Sequence, residues 1–454
     1  MSRTRHGPPH GYIGTQSDVS IRQDTVPGQR AGTPSSPCNP LWNDKMGKVL
    51  YVWELGADYG HVSNFLPLAG QLRRQGHEII LAIKDLSRIQ SLPGASEFDI
   101  MQAPIWLPQV TGLPQPQVCY AEILHRFGYL NYVGLLGMVK AWRMLYALIQ
   151  PDLVIADHAP TALLAARELP FARALYGNGF FSPPRISPLP SMRPWLNVPT
   201  QRLENSEHAA LRIINQVLAE LHLSPLENLA ALFAVDADFL MTTRELDHYP
   251  NRGAADYVGP VLSVPGGVTP DWPAAPGPKL FAYVKPQYQH FKRLLAQLRD
   301  APCAILMHAP GLSETRRNAL QAPNLHISPL PVDIRYACRQ ADALLCHAGH
   351  GTIMQSLMAG VPLLLLPTHL EQSLNARNVV RLGAGLAVNP EQKEPDFAGR
   401  LQELLGRHEI AEKARAFAQR YADVDQERMM ATVAARCAEL IAPGGRLRLR
   451  PGAG

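Results

Sequence analysis

The sequence predicts an α/β protein with two doubly wound domains of parallel strands that face a common cleft. Its 454 residues are too many for one ordinary domain and suffice for two domains of about 200 residues each. Short apolar runs alternate with helical patterns in both halves, as they do in parallel sheets covered by helices. Residues 262–278 contain five prolines and three glycines and predict a linker between the halves.

The first predicted domain covers residues 46–261 and follows a segment of different composition. Residues 1–45 are rich in Gly, Pro, Ser, Thr and Arg and predict a disordered extension, with Met46 as an alternative start. A helix is predicted at 65–74, ended by Gly76. Apolar runs predict strands at 49–53, 78–83, 153–156 and 239–241.

The second predicted domain covers residues 279–408. Apolar runs predict strands at 280–284, 304–307, 326–327, 344–345 and 363–366. Residues 409–441 are alanine-rich and amphipathic and predict a C-terminal helix, and residues 442–454 form a basic, glycine-rich tail. Because doubly wound sheets bind ligands at the carboxyl ends of their strands, we expect the active site in the cleft between the two domains.

Composition narrows the class of protein. The chain is 46% hydrophobic and 18% charged, which is typical of a soluble globular enzyme, and its net charge of +5 gives no indication of nucleic acid as a partner. Its six cysteines are scattered without a CxxC pair, so we expect reduced thiols and a cytoplasmic protein rather than disulfides or a zinc site.

Membrane contact is expected to be peripheral at most. The N-terminal residues contain no continuous apolar core of the signal-peptide kind. The most apolar stretch, residues 129–149, is interrupted by Lys140 and Arg143 well inside the window. This pattern favours an amphipathic helix, or two, that covers a pocket.

Residues 346–385 contain the most informative pattern of the chain. The polar and glycine-rich loop 347–352 follows an apolar run and opens a helical pattern, which is the geometry of an anion site at a helix N-terminus. A second apolar run then leads to Glu371 and Gln372, a carboxylate and an amide suited to hydroxyl groups. The combination suits a sugar nucleotide, whereas the alternative is an ordinary strand–helix turn in which glycine only permits tight packing.

The block 346–385 resembles the donor-binding signature of nucleotide-sugar-dependent glycosyltransferases with the two-domain GT-B fold, of the bacterial UDP-glycosyltransferase-like type. The resemblance implies two Rossmann-like domains and a C-terminal helix that returns to the first domain. It also implies an inverting, hexosyltransferase-like enzyme that moves a sugar from a UDP- or dTDP-linked donor to a hydroxyl of a small-molecule or lipid acceptor. The donor is a co-substrate, and no separate cofactor is expected.

The resemblance assigns the donor's diphosphate to the loop. His347 would contact the diphosphate, and the groups around Gly349, Gly351 and Thr352 would surround it. Their chemical task is to stabilise the charge that grows on the departing nucleoside diphosphate. Lys285 stands after the linker strand where the family usually has a small hydroxyl residue, so it either reaches a phosphate or forms a solvated strand end.

The remaining donor residues depart from the family's common pattern. Gln355 stands where the family usually has a glutamate for the ribose hydroxyls. Glu371 and Gln372 match the pair that binds the sugar hydroxyls, with glutamate in place of aspartate. The base-stacking segment falls at 327–332 and includes Pro331, but it has no tryptophan or glutamine, so the nucleotide base is left open.

His61 is the candidate catalytic base. It follows the first predicted strand on what the sequence suggests is a loop, and an imidazole has a pKa suited to general-base catalysis. By resemblance it matches the family's glycine–histidine motif, although Ser63 and Asn64 depart from the common neighbours. The alternative for His61 is a packed or helix-capping histidine.

Asp157, at the end of the strand 153–156, matches the aspartate that orients the family's base. The alternative is an aspartate that caps the helix beginning near Thr161. His158 is a second titratable candidate, and an exchange of roles with His61 is left open.

No metal is expected to take part. The acidic pairs Asp236–Asp238 and Asp423–Asp425 have positions typical of capping or solvated residues. The acceptor is less defined: the aromatic residues of 106–146 and Phe180–Phe181 suit an apolar acceptor but are also typical of a core. Two other functions are weighed against sugar transfer: a sugar-nucleotide epimerase or hydrolase with the same fold, and a non-catalytic helper of a partner transferase.

Overall fold

The structure is a computed structural model, and it describes residues 46–442 except 57–59, 88, 90–91, 260 and 263–265. The predictions made for residues 1–45 and for the tail after Ala442 lie outside the described residues. The two halves of the described chain each contain one parallel sheet of six strands.

The first sheet consists of β1 (Lys48–Trp53), β2 (Glu78–Ile83), β3 (Asp99–Gln102), β4 (Leu153–Asp157), β5 (Ala172–Gly177) and β6 (Ala237–Leu240). Its strands are all parallel and have the order β3-β2-β1-β4-β5-β6. The helices of this half are α1 (Gly60–Arg74), α2 (Tyr120–Leu124), α3 (Tyr132–Ile149), α4 (Pro160–Ala165) and α5 (Thr200–Glu220). The strand order reverses between β1 and β4, which is where doubly wound sheets form a ligand crevice.

Burial of both sheet faces explains the continuous apolar run of β1. Leu50 and Val52 pack into a core shared with α3, α4 and α5, and Val49 and Tyr51 pack into a second core shared with α1. All four side chains are fully buried. Apolar surface on both faces is what a central strand of a parallel sheet requires.

The second sheet consists of β7 (Lys279–Tyr283), β8 (Ala304–His308), β9 (Leu325–Ser328), β10 (Ala343–Cys346), β11 (Leu363–Leu365) and β12 (Gly385–Ala387). Its order is β12-β11-β10-β7-β8-β9, again with parallel strands. The helices are α6 (Phe291–Arg299), α7 (Glu314–Leu320), α8 (Ile334–Cys338), α9 (His350–Met358), α10 (Leu370–Leu382), α11 (Phe397–Gly406), α12 (His408–Arg420) and α13 (Gln426–Ile441). The order reverses between β7 and β10, so α9 starts beside the crevice of this sheet.

The C-terminal helical region contributes to both halves. The sequence predicted one helix over 409–441, but the structure has two, because the chain leaves the helical conformation after Arg420. Asp425 caps α13 by accepting hydrogen bonds from the backbone N–H groups of Glu427 and Arg428. Helix α12 packs on the second half, whereas Val433 and Cys437 of α13 are buried in a core of the first sheet.

The two halves touch along one side of the cleft. The Asn378 amide on α10 donates to the backbone carbonyls of Leu246 (3.1 Å) and Asp247 (3.0 Å), which follow β6. The Glu245 carboxylate accepts hydrogen bonds from the Tyr421 hydroxyl and from Arg420. These contacts bring the carboxyl ends of the two sheets to one cleft, and the predicted α/β class with two doubly wound sheets is confirmed.

Two further details differ from the sequence predictions. Helix α1 begins at Gly60 rather than at Phe65, so His61 lies on the first turn of a helix and not on a loop. Three strands were missed: β3, β5 and β12. Strand β3 carries polar residues at both ends, β5 is interrupted by Arg173, and β12 has only three residues, so none of them gives a strong apolar run.

Helix α3 is the one described helix that is long and apolar enough to cross a membrane, judged by length and composition alone. Met138, Trp142 and Tyr146 are buried in the first core, while Met144 and Leu148 are exposed. The helix therefore packs on the core with one face and leaves apolar side chains exposed on the other.

Candidate active site

His61 lies at the carboxyl edge of the first sheet because it stands on the first turn of α1, the helix that follows β1. Its ring stacks on Trp53 with 5.1 Å between centroids. Gly56 approaches the imidazole so closely that a Cβ there would lie 2.6 Å from Nε2 of His61. With φ at 91°, this position requires glycine for conformation as well as for space.

Asp157 holds His61 through its other nitrogen. Nδ1 of His61 lies 2.9 Å from Oδ1 of Asp157, and the Tyr51 hydroxyl donates to Oδ2 at 2.8 Å. Burial disfavours protonated His61, but the Asp157 carboxylate outweighs this effect and raises the pKa of His61. If the proton lies on Nδ1, Nε2 presents a lone pair, as a general base requires.

The structure also answers the question of which histidine Asp157 orients. His158 follows Asp157 with φ at 49°, and neither of its ring nitrogens forms a hydrogen bond with a described residue. Burial lowers its pKa well below the ordinary value, so the ring is neutral. His158 lies among aromatic rings, 4.6 Å from Phe181 and 6.0 Å from Tyr120 between centroids. The Asp157 carboxylate is therefore paired with His61.

The helix-capping interpretation of Asp157 does not hold. Helix α4 has Ala159 at its N-cap and no side-chain cap. Instead, the buried carboxyl of Glu54 accepts a hydrogen bond from the backbone N–H of Ala162 at 2.8 Å. Burial raises the pKa of Glu54 to about 8, so this carboxyl is largely protonated at neutral pH.

On the other side of the cleft, the N-terminus of α9 presents free backbone donors. Gly349 is the N-cap residue and provides no side-chain cap. The N–H groups of His350, Gly351 and Thr352 donate to no atom of the residues described by the structure. Free N–H groups and the helix dipole attract an anion. The imidazole of His350 meets the Thr242 hydroxyl of the first half at 2.9 Å, which ties this turn to the opposite wall.

His347 is engaged by the protein backbone on both ring nitrogens. Its Nδ1 lies 2.9 Å from the carbonyl oxygen of Leu366, and its Nε2 accepts the backbone N–H of Lys285 at 3.0 Å. The ring thus joins the ends of β7 and β11. A contact between Nε2 and a diphosphate requires that the Lys285 bond be exchanged, and the expected donor role of His347 stays a prediction.

Glu371 reaches across the cleft from the first turn of α10. Its Oε1 accepts a hydrogen bond from the Asn178 amide of the first half at 3.0 Å. Partial burial raises the pKa of Glu371, while the nearby His61 and the Asn178 amide act in the opposite direction. Asn178 is itself fixed, because its Oδ1 accepts the backbone N–H of Phe180 at 3.0 Å. The structure therefore brings His61, Asp157 and Glu371 together.

Three further predicted donor residues lie at different points of the second half. Gln372 uses its side-chain oxygen to accept from the N–H and hydroxyl of Thr368 at 2.9 and 2.8 Å. Gln355 lies buried on the second turn of α9. Pro331 is exposed on the loop after β9, and its carbonyl accepts the N–H of Val268 in the linker at 2.8 Å. Their roles toward a donor stay predictions.

Of the residues in the acidic pairs, Asp236, Asp238 and Asp425 have structural partners. Asp236 accepts the backbone N–H of Arg173 at 2.8 Å, and Asp238 accepts the Ser182 hydroxyl at 2.7 Å. Within the described part of the chain, no three His, Cys, Asp or Glu side chains come together as a metal-binding group.

Sequence reasoning missed Asn178, Tyr51 and Thr242. Tyr51 lies inside an apolar strand, where an aromatic residue reads as core. Asn178 follows β5, a strand that was itself missed, and its partner Glu371 is 193 residues away. The polar segment Asn178–Gly179 before Phe180 was a usable turn signal, but nothing local indicated the opposite wall.

Comparison with known proteins identifies the activity. Residues 293–440 match the family described as "Erythromycin biosynthesis protein CIII-like, C-terminal domain". A "PGL/p-HBAD biosynthesis glycosyltransferase" of Mycobacterium tuberculosis is 25% identical over 434 residues, which cover 89% of this chain and 95% of the relative. The chain is a glycosyltransferase.

Solved structures agree on the fold of the glycosyltransferase. A calicheamicin glycosyltransferase aligns with a TM-score of 0.63 at 19% identity, covering 88% of this chain and 100% of that chain. A spinosyn rhamnosyltransferase complexed with thymidine diphosphate aligns with a TM-score of 0.61 at 17% identity, covering 85% and 99%. The glycosyltransferase has the GT-B fold, and its predicted resemblance to bacterial UDP-glycosyltransferase-like enzymes is confirmed.

Proposed function

We propose that the glycosyltransferase moves a sugar from a UDP- or dTDP-linked donor to a hydroxyl of a small-molecule or lipid acceptor, with inversion at the anomeric carbon. The observation that carries the proposal is the 2.9 Å hydrogen bond between His61 and Asp157 at the carboxyl edge of the first sheet. A base on one wall and an anion-binding helix terminus on the opposite wall suit a single displacement. The spinosyn rhamnosyltransferase complexed with thymidine diphosphate supports the inclusion of dTDP.

The first half supplies the proton acceptor. Nε2 of His61 takes the proton of the acceptor hydroxyl while that oxygen forms its bond to the anomeric carbon. The resulting imidazolium is stabilised by Asp157, whose orientation is fixed by Tyr51. The buried rings of Trp53 and Phe181 pack against the imidazole at 5.1 and 4.8 Å between centroids.

The second half supplies the charge stabilisation. As the bond between the anomeric carbon and the phosphate oxygen breaks, its electron pair passes to the nucleoside diphosphate. The free N–H groups of His350, Gly351 and Thr352 and the positive end of α9 stabilise that charge. Because these groups can act without a cation, we propose a metal-independent reaction. We also propose a cytoplasmic location, which the scattered cysteines without a CxxC pair support.

Glu371 is proposed to bind hydroxyls of the donor sugar. Its carboxylate lies near His61 and is held by Asn178, so a sugar that contacts Glu371 has its anomeric carbon within reach of the base. Gln372 assists through its side-chain nitrogen, which makes no hydrogen bond with a described residue.

Exchange of His61 for alanine tests the proposal. We expect His61→Ala to lower kcat by at least about 100-fold, the usual contribution of a general base, while the Kd for UDP or dTDP changes by less than about twofold. Transfer from UDP-glucose and dTDP-rhamnose to a panel of phenols and hydroxylated lipids is followed by chromatography, and nucleotide binding by calorimetry. Unchanged turnover in His61→Ala would refute the assignment of the base.

Three controls complete the experiment. His408→Ala removes an exposed histidine of α12 and is expected to leave turnover unchanged. The anomeric proton coupling of the product, measured by nuclear magnetic resonance, reports inversion or retention, and retention would contradict the proposed displacement. Incubation with donor alone separates transfer from epimerisation or hydrolysis, because only the latter reactions consume donor without acceptor.

A further inference from the structure

A cavity of about 340 Å³ lies where the two halves meet, beside the proposed active site. The segments 192–195 and 248–251 of the first half form one wall, and α10 of the second half forms the other. Met192, Pro194, Pro250 and Leu374 make part of the lining apolar. A volume near the lower end of the range for small-molecule sites suits a ligand with one or two rings.

Two arginines give the cavity a positive wall. Arg377 and Arg381 lie one turn apart on α10 and both line the cavity. The Arg377 guanidinium lies 3.8 Å from the centre of the Trp195 ring, and it forms no ion pair or hydrogen bond with any residue that the structure describes. Arg381 donates to the backbone carbonyl of Glu245 at 3.1 Å, but the carboxylate of that glutamate is engaged by Arg420 and Tyr421.

The positive wall has no counter-charge of its own. Among the described residues, no Asp or Glu lines the cavity. Like charges at positions i and i+4 of a helix repel each other, and a bound anion would relieve that repulsion. Trp195 already orients the Arg377 guanidinium, so a carboxylate would bind to N–H donors whose directions are partly fixed.

A buried imidazole provides a second, independent indication of a ligand. His248 lines the cavity, is 2% exposed, and neither ring nitrogen forms a hydrogen bond with a described residue. The Asn375 side chain is near the ring, but the two do not form a hydrogen bond of ordinary geometry. Burial lowers the pKa of His248 to about 3, so the neutral ring retains one donor and one acceptor. Leaving both without a partner is costly unless a ligand supplies one.

The cavity is separate from His61 but connected to it through aromatic contacts. The His248 ring lies 5.4 Å from Phe180, which lies 5.7 Å from Phe181, which in turn lies 4.8 Å from His61. Helix α10 also connects the two regions, because its first turn carries Glu371 and its later turns carry the arginines.

We propose that this cavity is a binding site for a small organic acid, a carboxylate on an apolar body of one or two rings. The arginines Arg377 and Arg381 bind the carboxylate, His248 contributes a neutral hydrogen bond, and Trp195 with the apolar lining contacts the rings. The site belongs to neither the donor loop nor the His61–Asp157 pair, and its occupation does not depend on the proposed transfer reaction.

Direct binding tests the proposal with two probes of nearly equal shape, 1-naphthoate and the neutral 1-naphthamide. Calorimetry with the full chain is expected to show that the naphthoate binds at least about tenfold more tightly, since only the acid forms charge-assisted hydrogen bonds. Arg377→Gln and Arg381→Gln should each weaken naphthoate binding by about tenfold. Arg316→Gln, which changes an exposed arginine of α7, is the matched control and should bind as the unchanged chain does.

Further measurements separate this site from the catalytic one. Naphthoate binding should be the same in His61→Ala and in the presence of saturating UDP, whether or not sugar transfer proceeds as proposed. His248→Phe should weaken it, because the ring can then no longer form a hydrogen bond. Equal binding of acid and amide, full affinity in both arginine variants, or displacement by UDP would each overturn the proposal.

Discussion

Both carboxylate oxygens of Asp157 are already engaged inside the protein, so we expect Asp157 to act on His61 rather than on a substrate. Oδ1 pairs with Nδ1 of His61, and Oδ2 accepts the hydroxyl of Tyr51. The carboxylate is 2% exposed, so water cannot compete for these contacts. Its effect on catalysis should therefore appear in the tautomer and the pKa of His61.

We expect Asp157→Asn to lower kcat by about 100- to 10,000-fold, since an amide neither fixes the tautomer nor stabilises the imidazolium. The carboxylate raises the pKa of His61, so its removal lowers that pKa. The rate rises with pH as His61 loses its proton, and the acidic limb of the kcat profile should move to lower pH. Steady-state rates between pH 5 and 9 measure the shift.

Tyr51→Phe is the matched control for this variant. It keeps the His61–Asp157 contact and removes only the hydrogen bond to Oδ2, so a smaller loss of kcat is expected. An acidic limb that stays in place in Asp157→Asn would show that His61 is not the titrating base.

At the scale of elements, the start of α9 determines how close an anion can come. Gly349 has φ at −65°, which any residue adopts, and a Cβ built on it meets no atom within 4 Å. The space beside it is therefore open, at the helix terminus that carries the free N–H groups.

Gly349→Ala should keep the stability of the fold but weaken the binding of UDP and dTDP by about tenfold, because the added methyl occupies the approach of the diphosphate. Calorimetric titration and thermal unfolding measure the two properties. Gly137→Ala, on α3, adds a methyl that also meets no atom within 4 Å and should leave nucleotide affinity unchanged. Equal affinity of Gly349→Ala and the unchanged chain would argue against diphosphate binding at α9.

The elements that the sequence predicted are those with a strong local pattern. The apolar run at 363–366 and the loop 347–352 gave β11 and the start of α9, because burial on both faces and a glycine turn leave clear signals. The start of α1 was placed too late, since the polar residues His61, Ser63 and Asn64 hide the periodicity of its first turn. The histidine that we propose as the base thus itself obscured the helix that carries it.

At the scale of the whole molecule, a buried carboxyl links stability to pH. Glu54 is 3% exposed, and burial raises its pKa from 4.5 to about 8. The folded state therefore holds a proton that the unfolded state releases between these values. Its contribution to stability is fully present below about pH 4.5 and is lost as the pH rises to about 8.

Glu54→Gln should remove this pH dependence. The amide oxygen still accepts the N–H of Ala162, and it does not ionise. Relative to the unchanged chain, the variant should gain free energy of unfolding as the pH rises from 5 to 8, on the order of a few kcal/mol. Urea unfolding at pH 5, 6.5 and 8 measures the difference, with the exposed Glu314→Gln as control. A constant difference would mean that Glu54 is ionised in the folded state.

The contacts between the halves were beyond sequence reasoning. The resemblance paired His61 with Asp157, but no local pattern connects Asn178 with Glu371 or Thr242 with His350. These contacts depend on how the two sheets meet, although most residues of each core come from one half. The state of His347 was hidden for another reason: within the second sheet, its two ring nitrogens are engaged by strand ends that lie far apart in the sequence.

The hydrogen bond between Asn178 and Glu371 bears on how selective the enzyme can be. Under the proposed role of Glu371, a donor sugar must take over the carboxylate oxygen that the amide holds at 3.0 Å. A hydroxyl then gains only the difference between two hydrogen bonds. A deoxygenated sugar leaves Glu371 with Asn178 rather than unpaired, so it escapes the penalty that a buried, unsatisfied carboxylate would impose. The contact should therefore weaken selection against donors that lack the hydroxyl bound by Glu371. Tolerance of such deoxy sugars would then follow from a hydrogen bond that the enzyme already forms without substrate.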